Sequence, residues 1–282
     1  MNLLSDNIPQ GMSSHKQIHM KKIMYFLVAI ILGISVNSAY AQNQSRNQFA
    51  VLVYTSPDQW HNVTEPTALN EFSRLSDRHA FSLKITQVVN DFNDENLAKY
   101  DVLVFLHSTT RDLSVEQLES FKRFIRNGGG FVGIHAASAC KGEGEWYRKL
   151  IGRTFTDHPE EQTGVMRVLD KNHPSTMHLP DRWVWTDEWY SFSEPLTENL
   201  KVLITVDEST YDPDRTWGNE NRTGMGDFHP VAWYQEFDGG RSFYTALGHL
   251  SELYKDPMFL DHIYGGIYWA ATGLGLYDHK ED

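Results

Sequence analysis

Imidazole is the side chain that changes charge near neutral pH, so histidines gathered at one place can move protons or hold a metal ion. The chain has 13 of them, and four follow short apolar runs: His61 after FAVLVYT, His107 closing DVLVFLH, His135 closing GGGFVGIH and His249 after RSFYTALG. If those runs are strands of an open α/β sheet, the four rings emerge where ligands bind in such sheets, beyond the carboxyl ends of the strands. His135 is the strongest of the four. Its run turns into Ala136, Ala137 and Ser138, and small residues allow a tight elbow that lifts a side chain into a pocket. The stretch 183–192, WVWTDEWYSF, adds acid groups. On alternating geometry Glu188 and Tyr190 share a face, and a carboxylate beside an imidazole orients it and raises its pKa. Taken alone, this stretch also reads as a solvated acidic turn with aromatic core neighbours. His158-Pro159, His173-Pro174 and His229-Pro230 are weaker signals, because a His-Pro pair is as readily a turn as a site.

The elements that would position these groups alternate as βαβ units in the first half. Strands are predicted at 49–55, 81–88, 101–107 and 130–135. Between the last two, Ser114 with Gln117 three residues on forms a capping-box pattern, and Leu118, Phe121 and Ile125 supply the helical face before Gly128 stops it. The second half is less regular, with strands predicted at 164–169, 201–206, 231–237 and 241–247 and a last helix over about 257–271. From Asp207 to Pro230 runs an aperiodic stretch rich in Asp, Asn, Gly and Arg. Loops of that length either cover a site or wander over the surface.

The N-terminal region is of another kind. From Met20 the chain reads MKKIMYFLVAIILGISVNSAYAQ, a basic start, an apolar run and a small-residue end in the order of a secretory signal peptide. The apolar run is shorter than the roughly 20 residues a membrane-spanning helix needs. Cleavage is therefore expected before Gln42, with the mature protein periplasmic or otherwise exported and without a stable membrane span. Residues 1–19 are polar and patternless and are assigned no function. The whole chain carries a formal charge of −12; loss of residues 1–41 leaves 22 Lys and Arg against 36 Asp and Glu. That acidity argues against nucleic acid as a partner. No linker divides residues 42–282, so one α/β domain is expected there. Cys140 stands alone, which excludes an intramolecular disulfide and a cysteine metal cluster.

The segments VLVYTSPDQWHN, NGGGFVGIHAA, FTDHP, TDEWYSF, HPVAW and GRSFYTALGH occur in the order found in ThuA-like proteins, and from about Phe49 to Gly273 the chain resembles that trehalose-utilisation family. The resemblance implies a flavodoxin-like α/β fold of the class I glutamine amidotransferase superfamily, a doubly wound, mostly parallel sheet with helices on both faces. In that superfamily the elbow carries a cysteine; here His135 occupies it and Cys140 lies five residues on, so thioester glutaminase chemistry is not expected. The resemblance also implies that His61, His135, Glu188, Tyr190 and His249 are the recurring polar positions, and that the substrate is trehalose-like or a 3-keto sugar. The leading expectation is acid–base chemistry (hydrolysis, elimination or isomerisation) with His135 and Glu188 exchanging protons and Tyr190 and His249 stabilising oxygen. Trp60, His61, His107, Trp189 and His229 are expected to contact a sugar or glycoside, with Trp60, Trp189 or Trp217 as stacking platforms. No cofactor is predicted. Two alternatives stay open: a divalent metal held by His135, His249 and Glu188, and a sugar-binding protein without turnover.

Overall fold

The structure, a computed structural model, describes residues 47–56, 58–215 and 224–275. The expected signal peptide and Trp217 lie outside them. In chain order the strands are β1 (Ala50–Thr55), β2 (Ser82–Thr86), β3 (Val102–Leu106), β4 (Gly130–Ile134), β5 (Phe155–Asp157), β6 (Gln162–Val168), β7 (Arg182–Asp187), β8 (Ser191–Phe192), β9 (Lys201–Asp207), β10 (His229–Phe237) and β11 (Gly240–Thr245). The helices are α1 (Glu65–His79), α2 (Asp94–Leu97), α3 (Val115–Arg126), α4 (Glu145–Ile151) and α5 (Pro257–Thr272).

Nine strands form one sheet in the order β2-β1-β3-β4-β11-β10-β9-β6-β7. The pairings from β2 through β11 are parallel, whereas β10, β9, β6 and β7 extend the sheet antiparallel. The expected flavodoxin-like α/β fold is thus the one observed, with the antiparallel wing added. Strands β3 and β4 are buried throughout because helices cover both faces, which is why they read as unbroken apolar runs. On one face Phe121 of α3 packs 5.3 Å from Phe105 and 5.9 Å from Phe131, ring to ring. On the other, α5 presses Gly266 onto Phe243 so closely that an added Cβ would lie 2.4 Å from the ring.

Local signals explain the helix ends. Ser114 Oγ accepts from the Gln117 amide at 3.3 Å, and Gln117 Oε1 accepts from the Ser114 amide at 2.8 Å, the capping box read from the sequence. Helix α5 starts at Pro257 after Asp256, which accepts from the Met258 and Phe259 amides, and ends at Gly273 with φ +70°. β7 alternates exposed and buried residues, turning Trp183, Trp185 and Asp187 inward and delivering Glu188 past its end. β5 and β8 pair as a separate two-stranded ribbon. Among the described residues no helix is long and apolar enough to cross a membrane.

Candidate active site

The carboxyl edge of the parallel strands opens into a cleft of about 700 Å³ lined by Asp58, Trp60, His61, Arg111, Phe155, His158, Glu161, Glu188, Tyr190 and His249, among others. Its floor is made by the strand exits. His107 and His135 follow β3 and β4 directly, and each has φ +50°, a left-handed conformation that costs a side-chain-bearing residue roughly 1–2 kcal/mol. The expected elbow at His135 is therefore real, and the chain turns through His135–Ser138 as a single 3-10 turn. Gly133 packs closely against this turn and α4, since a Cβ there would lie 3.2 Å from that of Ala137 and 2.6 Å from Ile151. The rings of His61, His135 and His249 stand 5.2–5.4 Å apart, centroid to centroid.

Each ring is oriented by an oxygen at its outer nitrogen. His135 Nδ1 donates to the Ala246 carbonyl at 2.7 Å, and His61 Nδ1 donates to Asp58 Oδ1 at 2.8 Å. Asp58 is itself held by the Trp60 and His61 amides, each at 2.9 Å. With both Nδ1 atoms occupied by protons, both Nε2 atoms carry lone pairs toward the cluster. His249 Nδ1 lies 3.2 Å from His135 Nε2 and 3.2 Å from Glu188 Oε2. Glu188 Oε2 is also 3.5 Å from His135 Nε2, and its other oxygen is 3.6 Å from His158 Nδ1. Burial, reinforced by His61 and His249, holds His135 well below the usual imidazole range, and burial also lowers His249. Both rings are thus set to be neutral bases or ligands at pH 7.

Asp187 joins the two halves of this floor. Its buried carboxylate accepts from the Glu188 amide at 3.0 Å and the His249 amide at 3.2 Å through Oδ1, and from the Gly248 amide at 2.8 Å and Trp185 Nε1 at 3.3 Å through Oδ2. Burial pushes it up to about 7 while these four donors pull it down.

Comparison with known proteins places the chain in a family. The model of the trehalose-utilisation family, ThuA, matches residues 50–270. The chain belongs to that family. Among solved structures, a ThuA-like protein from Bacteroides uniformis superposes with a TM-score of 0.69 at 23% identity, covering 81% of this chain and 95% of that one. A ThuA-like protein from Parabacteroides merdae superposes with a TM-score of 0.66 at 19% identity, covering 83% and 94%. These likenesses show a shared fold. No curated protein matches the sequence.

Within this ThuA-family cleft the residues singled out from sequence divide. His61, His135, Glu188, Tyr190 and His249 come together, with the Tyr190 ring 4.2 Å from that of His135. Trp60 stands at the rim, 70% exposed. His107 sits behind the cluster, its Nε2 donating to the Gly248 carbonyl at 3.0 Å, so it braces the floor and lines a smaller adjoining cavity of about 150 Å³. Two expected sugar contacts are corrected. Trp189 is fully buried and donates Nε1–H to the Gln162 carbonyl, because the chain turns after β7 and points it into the core. His229 is fully buried as well, with Nε2 on the Tyr190 carbonyl at 2.8 Å and Nδ1 on Glu208 at 2.7 Å; it supports Tyr190 from behind. Not assigned to the site from sequence were Asp58, Asp187 and Glu161, and His158, read only as a weak signal beside Pro159, proves to line the cleft. Of these, Asp58 had a local signal, an acceptor three residues before His61.

Proposed function

We propose that this ThuA-family protein is an enzyme acting by proton transfer on a trehalose-like or 3-keto sugar. The observation that carries the reading is Glu188: a carboxylate only 8% exposed at the cleft floor, with nitrogens of His135, His249 and His158 3.2–3.6 Å from its oxygens. A ketone acidifies the neighbouring C–H, so one positioned base and one group polarising the oxygen suffice. Glu188 meets the substrate and takes the proton, and His135, wholly buried, works through Glu188. Tyr190 and His249 on the cleft wall stabilise the oxygen that gains charge. Trp60, exposed at the rim, offers a flat face for a sugar ring. The carbohydrate assignment rests on the family's connection to trehalose utilisation. The basic start, apolar run and small-residue end from Met20 support export, which N-terminal sequencing of the native protein checks by a start at Gln42. The test of the enzyme reading is incubation of the purified protein with native and 3-keto disaccharides, with products followed by mass spectrometry. A product made by the native chain and not by Glu188→Gln supports it. Sugar binding that is unaffected by Glu188→Gln, with no product from any candidate, overturns it.

A further inference from the structure

One ring nitrogen from each of His61, His135 and His249 lies within 4.8 Å of those of the other two. Which nitrogens these are follows from the outer contacts. His135 Nδ1 and His61 Nδ1 are committed to the Ala246 carbonyl and to Asp58, so the converging atoms on those rings are the two Nε2 lone pairs. The third is His249 Nδ1, 3.2 Å from His135 Nε2, and its outer nitrogen, Nε2, lies 3.4 Å from Glu161 Oε1. All three imidazoles therefore have an oxygen acceptor behind them and an inner nitrogen turned to one point. That is the arrangement that fixes tautomer and basicity in metal-binding histidines, two of the three backed by carboxylates. An independent sign points the same way: His61 Nε2 is buried, in a residue only 5% exposed, and no hydrogen-bond partner meets it. A buried acceptor left unpaired costs about 1–3 kcal/mol, and a cation at the focus of the three nitrogens would remove that cost.

We infer that His61 Nε2, His135 Nε2 and His249 Nδ1 bind one divalent transition-metal ion of the zinc class, with a fourth position open to the cleft beside Glu188. Three neutral nitrogen donors suit zinc, iron, nickel, copper or cobalt and not the oxygen-seeking magnesium or calcium. Three protein ligands with an open position is the pattern of a catalytic site, not a structural one. With Glu161 as the acceptor behind Nε2, the His249 proton sits on Nε2 and the Nδ1 lone pair is free for the ion. Glu188 Oε2, 3.2 Å from His249 Nδ1, then borders the fourth position and is placed to take a proton from water or substrate held there. The inference deepens the reading of this cleft as the active centre, with the ion that His249 helps to hold supplying the stabilisation of oxygen assigned above to His249 itself, and rests on that reading for the role of the ion, though not for its binding.

The test strips the full protein with chelator, titrates it with Co²⁺ while recording visible d–d absorption, and measures zinc after dialysis by elemental analysis. One equivalent per chain is expected, retained in His178→Ala, an exposed histidine outside the cleft, and lost in His61→Ala. Asp58→Ala, at a position outside the core, is expected to weaken uptake by about 10–100-fold, which keeps the test decisive should His61→Ala fail to fold. No stoichiometric uptake, or uptake unchanged in both cleft variants, overturns the inference. Metal uptake with no sugar turned over supports the site while removing the sugar reading. Turnover by stripped protein that takes up no metal does the reverse.

Discussion

Asp187→Asn separates a structural account of the cleft floor from a list of nearby polar groups. The carboxylate accepts four hydrogen bonds, two on each oxygen, and is completely buried. An asparagine keeps one acceptor oxygen and sets an NH₂ where the other stood, facing two N–H donors. Each buried donor left unpaired costs about 1–3 kcal/mol, so the gross loss is about 2–6 kcal/mol. Removing a buried charge offsets part of it, leaving an expected destabilisation of about 2–4 kcal/mol. At about 2–4 °C per kcal/mol for a domain of this size, the melting temperature should fall by roughly 4–16 °C. Because the same bonds place Glu188 and His249, turnover should fall even in the folded variant at low temperature. Guanidinium unfolding, thermal melts and a sugar turnover assay read the three quantities. A variant within about 0.5 kcal/mol of the native protein and equally active would mean that Asp187 is held as a neutral acid that an amide replaces, and the reasoning would fail.

Two further outcomes follow from buried groups away from the reacting centre. Cys140→Ser should leave turnover within a few-fold, since burial pushes the thiol up to about 12 and Cys140 is not among the residues lining the cleft; loss of activity in a folded variant, or inactivation by iodoacetamide that substrate prevents, would contradict this. His173 and His262 are buried neutral, pushed down to about 3 and about 4, whereas unfolded they titrate near 6.5. The unfolded chain therefore binds more protons below pH 6.5, stability falls as pH drops, and urea titrations at pH 7 and pH 5 should differ by about 4 kcal/mol from this pair. His262→Gln should remove about half of that difference, and an unchanged difference would place the acid sensitivity elsewhere.

What could be read from the chain follows a physical boundary. β1, β3 and β4 were legible because strands covered on both faces are continuous apolar runs, and α3 because its cap is written in two residues three apart. The convergence of His61, His135 and His249 was legible too, since parallel strands deliver their exits to one edge. The direction in which an aromatic or polar side chain turns after its strand is decided by distant partners. Trp189 is drawn inward to the Gln162 carbonyl and His229 to Glu208 and the Tyr190 carbonyl, and nothing near either residue in sequence announces this. Asp187 escaped for the same reason: only two of its four donors, Trp185 Nε1 and the Glu188 amide, are local, and the other two, the amides of Gly248 and His249, arrive from about sixty residues away.

The central claim is that His135 and Glu188 serve one step at this cleft floor, and a double-variant kinetic cycle on the active sugar tests it most directly. General acid–base groups contribute about 10²–10⁴-fold, so His135→Ala and Glu188→Gln should each lower kcat by about that range, with thermal melts showing all variants folded. Groups that act as a unit are non-additive, so the double variant should be little slower than the slower single one. Near-native rates in either single variant, or losses that multiply in the double, would contradict the account.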